Sequence, residues 1–258
     1  MAAVELSHTV TGPADAPVVV LSNSLGSTWA MWDAQAGALA ERFRVVRYDT
    51  RGHGASPTPP GPYAIDDLVD DLVALLDRLG VERTHVVGLS LGGMTAMRLA
   101  AREPERVDRM AVLCTGARLE PSSALTDRAA QVRARGTGSV AEAVVQRWFT
   151  PAYLEAHPDV REACEAMVTG TSDEGYAGCC EAIAAMDLRG DLAAVVAPTL
   201  AIAGADDPAA PPPHLEAIAA RVRDGRLLVV PDSAHLANAQ QPRVVTPAIL
   251  THLNGRES

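Results

Sequence analysis

Short apolar runs recur along the chain at Val18–Leu21, Val45–Tyr48, His85–Gly88, Met110–Leu113, Thr199–Ala203 and Leu227–Val230. Each spans four to five residues and is bounded by turn formers. Continuous apolarity over that length predicts strands covered on both faces, where in–out alternation would predict half-exposed ones. Helical spacing appears between the runs. Over Ile65–Leu79, residues Ile65, Leu68, Val69, Leu72, Leu75, Leu76 and Leu79 share one face. Asp66, Asp67, Asp70 and Asp71 fall mainly on the other, which reads as a solvated face, and Gly80 suits the C-terminal cap. Strands alternating with helices predict an α/β fold with a mostly parallel central sheet and helices on both faces.

The rhythm breaks between about Arg118 and Asp187. No buried strand is visible there. Helices are expected at Val140–Phe149, with Ser139 as N-cap, and at Val160–Val168. The expected organisation is a helical cap at 118–187 inserted into a core of 1–117 and 188–258.

One joint in this pattern carries chemistry. The run "HVVGLSLGGMTAMRLA" passes from strand to helix through Gly88-Leu89-Ser90-Leu91-Gly92. A G-x-S-x-G turn between strand and helix holds its serine in a strained backbone position with the hydroxyl exposed. A serine that merely caps a helix would not need the flanking glycines, so Ser90 is the candidate nucleophile. A serine needs a base, and the base needs an orienting acid. In this setting the chain order is serine, acid, histidine. Thr199–Ala203 leads into Gly204-Ala205-Asp206-Asp207-Pro208, and Leu227–Val230 leads into Pro231-Asp232-Ser233-Ala234-His235. His235 is therefore the candidate base. Asp207 is the candidate acid, stiffened by Pro208, with a contribution from Asp206 left open. Asp232 reads as a turn residue. His8, His53, His85, His157, His214 and His252 lack that placement and read as surface or packing residues. Two N–H donors are expected for an oxyanion, from Leu91 and from Leu25 in "SNSLGS".

Bulk properties narrow the partners. The 258 residues carry a formal net charge of −10, and all 22 basic residues are arginine. Such a chain repels phosphate backbones and anionic membranes, so neither nucleic acid nor membrane is an expected partner. The start, "MAAVELSHTV", shows no signal-peptide pattern. Cys114, Cys164, Cys179 and Cys180 fit no metal or disulfide framework and read as reduced thiols in a cytoplasmic protein.

The markers "SNSLGS", "YDTRGHGAS", "GLSLGG", "GADDPAAPP" and "SAHL" resemble the α/β-hydrolase family over almost the whole chain. Asp49-x-Arg51-Gly52-x-Gly54 recurs in that fold as a structural turn. "LSNSLG", "RWFTPAY" (Arg147–Tyr153), "MDLRGDL" (Met186–Leu192) and "AHLANAQQP" (Ala234–Pro242) are similar to the 3-oxoadipate enol-lactonases of aromatic catabolism, the β-ketoadipate pathway. Ala210 departs from the threonine expected in many relatives. No fused decarboxylase is expected, since Ser258 follows soon after the last expected helix. The resemblance implies opening of a small anionic enol-lactone through an acyl-enzyme, with neither metal nor organic cofactor. Arg128, Arg133 and Arg147 are then candidates to receive its carboxylate, with Trp148 as wall or N–H donor. Other readings are a different serine hydrolase, acting on small esters, lactones or C–C bonds, and a non-enzymatic lactone sensor on the same fold.

Overall fold

The computed structural model describes residues 1–255. Seven strands form one sheet: β1 (His8–Thr11), β2 (Val18–Ser22), β3 (Arg44–Tyr48), β4 (Thr84–Leu89), β5 (Val107–Leu113), β6 (Thr199–Gly204) and β7 (Gly225–Val230). Their order is β1-β3-β2-β4-β5-β6-β7, with β1 antiparallel to β3 and every other pairing parallel. The sheet bears out the α/β reading, and each of the six apolar runs lies in a strand. β4 and β6 are buried along their whole length. Two features depart from the sequence pattern. β1 is an edge strand of the run "HTVT", half exposed, and gives no continuous apolar signal. β7 is the opposite edge, and Leu227 and Val229 are 40% and 41% exposed there. A parallel strand at an edge is not covered as its interior neighbours are.

The helix expected from Ile65 runs over Ile65–Arg78, with Gly80 beyond its end at φ 67°. Its acidic side is not simply solvated. Asp71 is buried and takes Arg51 Nε at 2.6 Å and Nη2 at 2.8 Å, while Asp66 pairs with Arg98 at 2.8 Å. Arg51 is fully buried, so the turn carrying it is clamped to this helix.

Between β5 and β6 the described chain forms helices at Ser123–Arg135, Ala141–Trp148, Pro151–Ala156, Pro158–Thr169 and Asp173–Ala185, and no strand. The first and last of these pack along each other. Ser139 does not cap the second. It closes a 3-10 turn, its hydroxyl donating to the Gly136 carbonyl at 2.7 Å, and Val140 holds the N-cap position. No helix among the described residues is long and apolar enough to cross a membrane.

Candidate active site

The site is assembled where parallel strands end. β4 stops at Leu89, and the helix Leu91–Arg102 begins one residue later. Ser90 spans the joint at φ 56° and ψ −116°, a region that L-residues rarely adopt. Contacts over-determine that strain. The Ser90 N–H donates to the Leu113 carbonyl at 2.9 Å, and the Ser90 carbonyl accepts from Thr115 Oγ1 at 2.8 Å. A Cβ on Gly88 would collide with the Gly92 backbone, and one on Gly92 with the Ser22 carbonyl. Both glycines are needed for strand and helix to approach this closely.

His235 follows β7 and Asp207 follows β6. His235 Nδ1 lies 2.8 Å from Asp207 Oδ2, both residues being buried. The other Asp207 oxygen accepts the Ala209 N–H at 2.8 Å and the Ala210 N–H at 3.2 Å. Burial alone would raise the Asp207 pKa. The His235 charge and hydrogen bond and the two amides outweigh it and hold the carboxylate below its ordinary value. With Nδ1–H donated to Asp207, Nε2 is left as the proton acceptor. Asp206 is exposed, and its N–H donates to the Ser233 carbonyl at 2.9 Å. Ala210 reaches the acid through its amide, so the missing threonine side chain leaves that bond intact. Asp232 is an exposed turn residue at φ 50°. Ser90 and His235 line one cavity without a hydrogen bond between them. Such contacts commonly tighten only when the substrate is in place.

The loop after β2 reaches the same cavity through Ser24 and Leu25. Its amides are spoken for on either side of Leu25: Ser24 N–H faces Met31 Sδ at 3.2 Å and Gly26 N–H donates to His53 Nε2 at 2.9 Å. Trp29 N–H donates to Asp49 Oδ1 at 2.9 Å. Among the described residues the Leu25 and Leu91 N–H groups have no internal acceptor. Two free donors beside Ser90 form an arrangement that can receive an oxyanion. His53 does more here than pack. Its Nδ1 faces the Arg51 carbonyl at 3.1 Å, which fixes Nε2 as an acceptor, and burial pushes its pKa down to about 4. The turn "DTRGHG" therefore holds the loop that carries Leu25. No spacing rule in the sequence pointed to that use of His53.

The cavity measures about 160 Å³ and is mostly apolar, with Leu119, Leu125, Val144 and Ile183 in its walls. A larger cavity of about 430 Å³ lies by the opening residues of β6 and β7, at the other end of the strands, and contains none of this chemistry. Arg128, Arg147 and Trp148 line the smaller cavity. Neither arginine has a carboxylate partner among the described residues. Burial, and next the charge of Arg128, press the Arg147 pKa below its ordinary value. Glu120, also on the rim, is occupied by Arg118 at 2.8 Å.

Arg133 does not reach the cavity. It sits five residues after Arg128 on the helix Ser123–Arg135, about 140° further round at about 100° per residue. There it is held on the outer surface by Glu174, at 2.9 Å, and by Glu181. Tyr176 is a wall residue that the sequence did not reveal. Its ring packs against Gly26, and its buried hydroxyl lies beside the Arg128 guanidinium. Burial pushes the phenol up to about 12, so it stays a neutral donor. All four cysteines are buried free thiols, and no group of three or more metal-ligating side chains occurs among the described residues.

A model of the α/β hydrolase fold matches residues 17–242. The chain is 38% identical over 246 residues to 3-oxoadipate enol-lactonase 2 of Acinetobacter baylyi, covering 95% of this chain and 92% of that one. It is 32% identical over 254 residues to a Variovorax paradoxus protein provisionally named as the carbamate hydrolase RutD, covering 96% of both. The crystal structure of the enol-lactonase from Burkholderia xenovorans LB400 superposes with a TM-score of 0.95 at 39% identity, again over 96% of both chains.

Proposed function

The chain belongs to the α/β-hydrolase fold family and is a carboxylic ester hydrolase, and we propose that it opens 3-oxoadipate enol-lactone to 3-oxoadipate. The observation that carries the substrate is the pair Arg128 and Arg147. Two cations without carboxylate partners line an apolar cavity in a chain of net charge −10. Both are half-buried; partial burial of a cation without a counter-charge carries a cost, and an anionic ligand would relieve it. A neutral ester would leave that cost in place.

In this reading His235 takes the Ser90 proton as Oγ attacks the ring carbonyl. Leu25 and Leu91 donate to the oxyanion. The ring C–O bond breaks, and the leaving enolate oxygen receives the proton from His235. The resulting enol becomes the ketone. Water then attacks the acyl-enzyme, giving one proton to His235 and releasing the acid, and Ser90 recovers its proton. Asp207 holds the His235 tautomer throughout. Residues 118–187 act as a cap that places Arg128 and Arg147 on the carboxylate arm, with Trp148 and Tyr176 as walls.

The RutD likeness favours a second reading, hydrolysis of a small carbamate by the same three residues. The discriminating experiment compares kcat/KM for the enol-lactone, a small carbamate and p-nitrophenyl acetate. The lactone is expected to lead both by at least about 100-fold, the scale of one or two charge-assisted hydrogen bonds. A lead for the carbamate would replace the reading. A lead for the neutral ester would leave a hydrolase without the anionic substrate.

A further inference from the structure

Two sequence runs, far apart in the chain, meet in space. "RWFTPAY" starts at Arg147 on the cavity wall, and "AHLANAQQP" contains His235. Gln240 joins them. Its Oε1 accepts from the Ala234 N–H at 3.1 Å and from the Thr150 N–H at 3.3 Å, and its Nε2 donates to Thr150 Oγ1 at 2.6 Å. Beside this clip the Leu236 N–H donates to the Trp148 carbonyl at 2.8 Å. Ala234 and Leu236 are the two neighbours of His235. Both amides flanking the base are therefore tied to the short stretch that follows Arg147.

We propose that Gln240 is a positioning residue that fixes the distance from His235 to the Arg147 guanidinium, and thereby selects lactones whose carboxylate arm matches that distance. The inference rests on the reading of Arg147 given above. The Leu236–Trp148 bond is one polar tie between the buried end of the helix Ala141–Trp148 and the His235 loop. The Gln240 amide adds a second, and with both of its ends satisfied it has one orientation. A neutral ester uses Ser90, His235 and the oxyanion donors, and does not need the Arg147 distance.

Thr150→Val removes the hydroxyl that receives Gln240 Nε2 while leaving the Ala234–Gln240 bond, and Thr150→Ser keeps the hydroxyl. kcat and KM are measured for the enol-lactone and for p-nitrophenyl acetate, in the wild-type and Arg147→Ala backgrounds, with Tm as the folding control. Thr150→Val should raise the lactone KM about fivefold, the scale of one neutral hydrogen bond, and leave the ester constants within about twofold. Thr150→Ser should restore the lactone KM. In the Arg147→Ala background the Thr150→Val effect should vanish, since the two residues act as one unit. Gln240→Ala, which breaks both halves of the clip, should cost more on the lactone than Thr150→Val. Equal changes on both substrates, or an undiminished effect without Arg147, would overturn the clip while leaving the lactonase reading standing. A wild type that turns over the ester and not the lactone would overturn the lactonase reading, and the selective role of Gln240 with it.

Discussion

Ser90, Asp207 and His235 stand on loops leaving β4, β6 and β7, whereas Arg128, Arg147 and Tyr176 stand on helices that come between β5 and β6 in the chain. The first group is placed by sheet register. Parallel strands deliver their C-terminal ends to one edge, so a residue shortly after a strand is already near its partners. The second group is placed by which side of a helix packs inward. Arg128 and Arg133 share a helix, yet one faces the cavity and the other is held outside by Glu174 and Glu181. Position in sequence says much about a strand-end residue and little about a helix residue until its neighbours are known.

Substitutions separate the two groups. The largest effect is expected at the strand ends, on every substrate. Asp207→Asn should lower kcat by about 10⁴-fold for lactone and neutral ester alike, because it favours the wrong His235 tautomer. Asp206→Asn, on an exposed side chain, should leave both rates near wild type; a comparable loss there would move the acid's role. The helix residues should act on the anion alone. Arg147→Ala is expected to raise the lactone KM by roughly 10- to 100-fold and to leave the p-nitrophenyl acetate constants nearly unchanged. Arg133→Ala should leave both sets of constants unchanged, and as an exposed ion pair it should cost under about 1 kcal/mol of stability. Equal KM effects at Arg133 and Arg147 would remove the distinction drawn between the two faces.

A smaller effect is expected from the turn that supports the Leu25 loop. His53 is held neutral by burial, with a pKa of about 4 against an ordinary 6.5. Between those values the unfolded chain binds a proton that the folded chain refuses, so stability falls as pH drops from about 6.5 toward 4. His85 and His252 are also pushed down by burial and act in the same direction. Tm should therefore fall as pH drops through this interval, and His53→Gln should flatten the dependence without abolishing it. An unchanged slope would mean that His53 is not proton-free in the fold.

The same contrast explains what could be read without coordinates. The central strands announced themselves because burial on both faces leaves no polar alternation. β1 was invisible because an edge strand of "HTVT" has no such signature. Ser90, His235 and the choice of Asp207 over Asp206 followed from glycine spacing and loop position, and in the fold Asp207 lies 2.8 Å from His235 Nδ1. The Gln240 clip and the placing of Tyr176 in the cavity wall were not legible, since each depends on segments distant in sequence. The acidic helix face misled for a related reason. A run of aspartates reads as solvated until Arg51 is found buried against Asp71.

The most direct test of the account is the rate of enol-lactone loss with wild type and with Ser90→Ala at matched Tm. The account predicts rapid ring opening by the wild type and a fall to the uncatalysed background in the variant. Ring opening that survives in folded Ser90→Ala would contradict it.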